Sequence, residues 1–267
     1  HGSRPMTTTV SGNSGGTALT TASRPITRGY LFGLEGSTAG ASTTLTVSAG
    51  QATDSTYVSI MTLASAMAKT TGAWAAGTTN GGLDTGTIAN NTWYHWYLIS
   101  DAAGSTVDVV FSTSATSPTL PGGYTLYRRI FSWRATFHWD TVLQVGDYFY
   151  RAEVNDFQPA TTSVMTLRTI SVPSGVTVWP KMRTLSVGGS ANGTVLQVAP
   201  AGNSALYITV AHNDIGSGIN SNTQASAFEG PATNTSAQIY MAVPHLQASG
   251  SLQVYTAGWI DRRGRNS

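Results

Sequence analysis

Chemistry in this chain would have to come from few residues. Three glutamates (Glu35, Glu153 and Glu229) and nine aspartates are all its carboxylates, and four acids crowd one stretch: Asp140, Asp147, Glu153 and Asp156. Glycoside hydrolysis needs two carboxylates facing each other across a sugar, about 5–5.5 Å or about 6.5–9.5 Å apart. A pair drawn from this stretch could supply them. Short acids also settle at turns and strand ends, where they hydrogen-bond their own backbone, and that is the plainer reading of all four.

Metal ligation has thinner support. His138 and Asp140 would share a strand face, and His212-Asn213-Asp214 is a local cluster. Zinc recruits three or four ligands at recognisable spacing, and calcium loops carry alternating acids ending in Glu; neither pattern occurs. The chain has no cysteine, which rules out disulfides and thiolate sites and suits folding in a reducing cytoplasm. It has no G-x-S-x-G elbow, Walker loop or dinucleotide fingerprint. The reading therefore assigns no catalytic residue, no metal and no cofactor.

What the residues do suit is recognition by shape. Aromatic rings stack on the apolar faces of pyranoses, while short polar side chains hydrogen-bond the hydroxyls. Trp139, Tyr148 and Tyr150 lie together in sequence; Tyr207, His212, Asn213 and Asp214 lead into a polar stretch from Asn213 to Gly230 that also carries Asn220 and Asn222. For each ring, packing in a core or between subunits is the competing assignment. A long Gly- and Asn-rich connection on a rigid scaffold is a common place for recognition, so the 213–230 stretch ranks first.

The elements that must position these residues are strands. Only 10 % of residues are charged, against about 25 % in ordinary soluble domains, and Ser, Thr, Gly and Ala fill the difference. With 40 % hydrophobic and 9 % aromatic residues the chain can build a core. Exposed helix faces need Glu, Lys and Arg, so an all-β or nearly all-β fold is expected. The net charge of +2 is scattered apart from Arg262-Arg263-Gly264-Arg265, which reads as a solvated tail. No dense basic face points to nucleic acid, and no apolar run nears the roughly 20 residues of a membrane span.

In chain order, His1-Gly2-Ser3 before Met6 reads as an expression-tag remnant, and the polar start to Ser23 as a linker or as chain ordered by partners. Val58–Lys69 has near-helical apolar spacing and is the best helix candidate, although its start also suits a strand. Trp93–Ile99 is apolar on both faces, so it should be covered twice, by a second sheet or another subunit, and should form a hairpin with Thr106–Ser112. From Ile130 to Asp140, Phe131, Trp133, Ala135, Phe137 and Trp139 alternate with polar residues, which predicts a long strand bridging two halves near residue 137. Beyond it, short strand patterns separated by turns predict an antiparallel β-sandwich or jelly roll.

One ordered series is distinctive. Trp74, Gly77 and Gly81-Gly82-Leu83-Asp84-Thr85-Gly86 are followed by TWYHWYLI (92–99), VDVVFSTSATSPTLPGGY (107–124) and Arg128-Arg129-Ile130. The series, within about residues 44–135, resembles a module of tailed-bacteriophage tail-fibre and prophage virion proteins. The resemblance implies a structural, host-recognising virion component, made in the host cytoplasm, that assembles as a homotrimer and joins other tail or baseplate proteins. It implies no catalytic residues. The expected layout is a polar linker to residue 23, a β-rich trimerising module over 24–136 and a receptor-binding sandwich over 137–267. The polar start would fit a fibre fragment cut from a longer shaft. The expected activity is non-catalytic adhesion to a bacterial surface polysaccharide, capsule or lipopolysaccharide, with no nucleic acid and no membrane insertion. A capsular depolymerase using the four clustered acids is the alternative, and a connector without ligand is a third reading.

Overall fold

The computed structural model describes residues 28–158, 161–188, 193–212, 222–246 and 251–265. Every regular element among them is a strand, as the composition predicts. A small antiparallel sheet places β4 (Gly50–Thr53) between β1 (Leu31–Gly33) and β5 (Ile60–Leu63). A seven-stranded sheet runs, edge to edge, β10 (Leu126–Ala135), β8 (Thr92–Ser100), β9 (Val107–Ser112), β7 (Gly81–Leu83), β6 (Met67–Ala73), β3 (Thr44–Val47) and β2 (Gly36–Ser37). Only β7, parallel to both its neighbours, departs from the antiparallel pattern.

The chain then passes to two antiparallel sheets. One orders β11 (Val142–Val145), β12 (Tyr148–Phe157), β19 (Ser251–Ile260), β14 (Trp179–Gly188) and β17 (Asn222–Glu229). The other orders β13 (Thr162–Thr169), β18 (Gln238–His245), β15 (Thr194–Ala199) and β16 (Ile208–His212). Met182, Leu252 and Val254 of the first share one buried cluster with Leu196, Val198, Ile239 and Met241 of the second, which makes a sandwich.

The expected hairpin of β8 and β9 forms, with Trp96 opposite Phe111. Both faces of β8 are covered. Tyr94, Trp96 and Leu98 enter the main core with Phe111, Phe131 and Trp133. Tyr97 and Ile99 pack on the other side against Trp74, Leu120, Tyr124 and Tyr127. That second cover comes from the chain's own Pro- and Gly-rich connection, and Tyr97 Oη donates to Ser114 O (2.8 Å), locking it down. A second sheet or subunit was the expectation: a second sheet does meet this face at Trp93, which packs on Trp259 of another sheet, whereas Tyr97 and Ile99 are covered within the chain by the residues just named.

Four further expectations need correction. The long strand expected over Ile130–Asp140 stops at Ala135: Phe137, expected on the core face, takes a left-handed φ of 66° and is 56 % exposed, and Trp139 returns through isolated bridges to Ser42 and Ala135. Val58–Lys69 is not a helix but β5 and the start of β6, joined by a turn. Met61 and Leu63 are buried while Thr62 is exposed, a period of two, because β4 offers β5 a ladder of backbone partners that outweighs a weak helical spacing. The presumed loop 213–230 contains β17, paired along its length with β14; residues 213–221 lie outside the described residues, as does the polar start before residue 28. The C-terminal arginines are not a solvated tail. Arg263 is buried and donates to Ile130 O (2.7 Å), Gly33 O (2.8 Å) and Leu34 O. Arg265 pairs with Asp147 (2.5 Å).

Ile130 explains part of this. The pairing of β10 with β8 slips between Arg129 and Phe131, so Ile130 is a bulge residue whose carbonyl has left the ladder, and Arg263 supplies the missing donor. The two sets of sheets meet over rings: Trp93 on Trp259 (5.2 Å between centroids), Trp133 on Phe149 (6.4 Å), and Phe149 stacked on Trp259 (5.1 Å, 6° between planes). Gly36 N also donates to Gln144 Oε1 (2.7 Å) across the junction.

Candidate functional site

The four clustered acids are each engaged. Asp140 accepts from Arg134 Nε (2.8 Å) and faces Arg151 at 3.5 Å. Asp147 holds Arg265, and Glu153 pairs with Arg183 (2.7 Å). Asp156 accepts from the hydroxyls of Ser171 and Thr256. This is the behaviour of acids that tie strands and turns together. Among the described residues no group of three or more His, Asp or Glu could hold a metal ion.

The aromatic candidates separate sharply. Trp139 is 0 % exposed and packs between Tyr94, Trp96 and Phe111, at 5.0–5.9 Å between centroids. It is a core residue and cannot stack on a sugar, which corrects its place among the binding candidates. Tyr207 is about half exposed, between exposed Leu206 and Ile208. Asn213, Asp214 and Asn220 lie outside the described residues. His212 and Asn222 fall on β16 and β17 respectively.

Tyr148 and Tyr150 are the candidates that come together at the surface. Two residues apart on β12, they point to the same side of the sheet, 44 % and 41 % exposed, with rings 6.5 Å apart and 16° from parallel. Lys181 Nζ sits 5.1 Å from both ring centres. Register accounts for this. Tyr150 and Lys181 both face Gly258 of β19, a position with no side chain to come between them. On the outer side, Leu143 faces Tyr150 and Val145 faces Tyr148, both exposed.

The same row of residues leads to a cleft. Tyr148 and Trp179 both pair with Ile260, so Trp179 continues the aromatic face, and the Arg262 guanidinium lies 4.4 Å over its ring. Trp179 and Arg262 form one wall of a cleft of about 540 Å³ at the junction of the two sets of sheets. Tyr57, Tyr97, Tyr127, Arg128, Arg129 and Asp261 line the other parts; none of the four clustered acids does.

Electrostatics divides the cleft's charges into matched and unmatched. Arg129 donates twice to Asp261 (2.7 Å each). Burial opposes the charge on Asp261, but the Arg129 guanidinium prevails and holds that carboxyl below its usual value. Arg128 has no such partner among the described carboxylates; one of its terminal nitrogens donates to Gly264 O, its side chain also hydrogen-bonds Tyr57, its Nε has no acceptor, and burial lowers its pKa. Beside them, burial pushes His95 down to about 3, with the Arg129 charge adding to the effect, so its ring is neutral; it hydrogen-bonds Ser132 Oγ (2.8 Å).

Sequence reasoning missed Trp179, Tyr57, Arg128 and Arg262 as a group. One signal was available: in a chain with so little charge, two adjacent arginines on a strand and a second arginine cluster at the end are costly features that need partners. What could not be read was that the fold brings them to one cleft. The chain matches no known family and none of the curated proteins with which it was compared.

Proposed function

We propose that this chain is a segment of a bacteriophage tail fibre that binds a host surface glycan without cleaving it, through the face carrying Tyr148, Tyr150 and Lys181. The observation that carries the reading is the pair of nearly parallel, half-exposed tyrosine rings held by a lysine on a ten-residue strand. Rings fixed in this way stack on pyranose faces at little conformational cost, and the lysine and phenol groups can hydrogen-bond hydroxyls. The phage assignment rests on the resemblance of the Trp74–Ile130 series. A homotrimer would present three such faces, and avidity would let weak single contacts hold a virion.

The test is to incubate the protein with capsular polysaccharide and follow both by size-exclusion chromatography with light scattering. Co-elution with polysaccharide of unchanged length is expected. The double variant Tyr148→Ala/Tyr150→Ala should fold and lose most of the binding, about tenfold or more for each ring at the stacking energies seen in such contacts. Shortened polysaccharide would instead establish the depolymerase, with the acids now held by arginines and hydroxyls as the first residues to mutate. No co-elution with any surface glycan of the host would leave the connector reading.

A further inference from the structure

We infer that the cleft beyond Trp179 is an anion subsite that takes the carboxylate of an acidic sugar, a uronic acid or another sugar acid, in the glycan bound by the tyrosine face. It rests on the glycan-binding reading for its ligand class, but its geometry stands apart from Tyr148 and Tyr150.

Charge is the first argument. The cleft is lined by Arg128, Arg129 and Arg262 against a single acid, Asp261, both of whose carboxylate oxygens accept from Arg129. Two guanidinium groups are left without a carboxylate among the described residues. Arg128 is only 3 % exposed and its Nε has no acceptor. Its partners, Gly264 O and the Tyr57 side chain, carry no carboxylate charge, and a buried guanidinium held only by such groups in a cleft is placed for an anion that arrives from outside.

Shape is the second argument. Arg262 is exposed, with its guanidinium carbon 4.4 Å from the centre of the Trp179 ring, a contact that holds the group at the cleft wall where it can donate to a carboxylate. Trp179 and Tyr127 supply ring surface beside it. At about 540 Å³ the cleft is within the usual size range for small-molecule sites. Tyr57, in its lining, is held at φ 62°, a left-handed conformation that a residue with a large side chain adopts only when its surroundings impose it. Arg28 lies 5.0 Å over the Tyr57 ring and adds a further positive charge there.

Continuity is the third. Trp179 and Tyr148 flank Ile260 in one row across the strands, so a glycan that leaves Tyr148 across Ile260 reaches the cleft. An acidic unit in that glycan would place its carboxylate between Arg262 and Arg128, with its ring against Trp179.

The test uses the isotope-labelled full chain and watches the indole N–H signal of Trp179, assigned by Trp179→Phe. Galacturonate, galactose and inorganic phosphate are titrated separately. Galacturonate should shift the signal and galactose should not; Arg262→Gln, at an exposed position, should weaken the galacturonate response at least about tenfold, the loss expected for one charge-assisted contact. Added salt should weaken it further. An equal response to galactose, no response to galacturonate, or an unchanged response in Arg262→Gln would overturn the subsite. Phosphate acting as strongly as galacturonate would overturn the sugar-acid assignment in favour of a phosphorylated glycan. Because this readout uses a monosaccharide and Trp179, it remains decisive even if polysaccharide fails to bind at the tyrosine face.

Discussion

At the scale of single residues, His95 makes the chain's stability depend on pH in a defined window. Its ring is buried, bonded to Ser132 Oγ and neutral, and its folded value of about 3 lies well below the ordinary 6.5. Between those values the unfolded chain binds a proton that the folded chain does not, so stability falls as pH drops through the window. The slope is about 1.4 kcal/mol for each pH unit. Asp261 adds a loss lower down, because a carboxyl held below its usual value stabilises the fold above that value and gives up its contribution as pH falls further. Denaturant titrations at pH from about 7 to 4 should show the decline beginning near the ordinary histidine value. His95→Gln, which can still hydrogen-bond Ser132, should flatten its upper part. A flat wild-type profile between about 6.5 and 5 would mean that His95 is accessible to protons in the folded chain. The partner Asp261→Asn should cost about 3–5 kcal/mol at neutral pH, since it removes the charge that compensates the largely buried Arg129 guanidinium.

At the scale of elements, the bulge in β10 and the turn after β1 depend on one side chain far away in sequence. Gly33 and Leu34 both have positive φ, so the chain leaves β1 with carbonyls directed out of the ladder, and the Ile130 carbonyl is freed by the bulge. Arg263 reaches all three. Arg263→Met should strand them and lower the melting temperature by roughly 10 °C, from a loss of about 3–5 kcal/mol. Arg265→Gln, at a partly exposed ion pair, should cost under about 1 kcal/mol. Scanning calorimetry of the two variants separates a structural clamp from a loose tail. None of this was legible in the chain's last residues, because the acceptors are supplied by segments more than a hundred residues earlier. The β8–β9 hairpin was legible, since its signals (alternation, aromatic content and the Asp101–Gly104 turn) are all local. The alternation was legible only as far as Ala135: Phe131, Trp133 and Ala135 are buried as it required, but the chain turns at Phe137, which is exposed, and Trp139 reaches the core from outside the strand. Tyr148 and Tyr150 could be recognised as exposed only once β11 and β19 fixed which side of β12 faces out. The 60–68 stretch misled because Met and Ala at near-helical spacing also satisfy two short strands.

At the scale of the whole molecule, the division near residue 137 is a change of sheets but not a break in the core. One buried cluster runs from Leu31 to Trp259, and the junction carries Trp93 on Trp259, Trp133 on Phe149 and the buried Arg129–Asp261 pair. Halves joined in this way should melt together. A single calorimetric transition is expected, and Trp139→Ala, at a cost of about 3–5 kcal/mol, should loosen both. Hydrogen exchange after that substitution should therefore quicken on β8 and on β12 alike; loss of protection confined to residues before 137 would mean two independently stable units. The same continuity changes the grounds for expecting a trimer. A strand apolar on both faces argued for partner chains, yet Leu120, Tyr124 and Tyr127 cover β8 within the chain, so that argument no longer requires them. The trimer then rests on the resemblance and on avidity: three faces bearing Tyr148, Tyr150 and Lys181 would turn millimolar single contacts into durable attachment. Light scattering should give about three times the 27.9 kDa of one chain, and the full trimer should hold polysaccharide at concentrations where a monomeric sample releases it. A monomer with a sharp, concentration-independent melt would show that the core is sufficient alone, and multivalency would then have to come from the assembled tail.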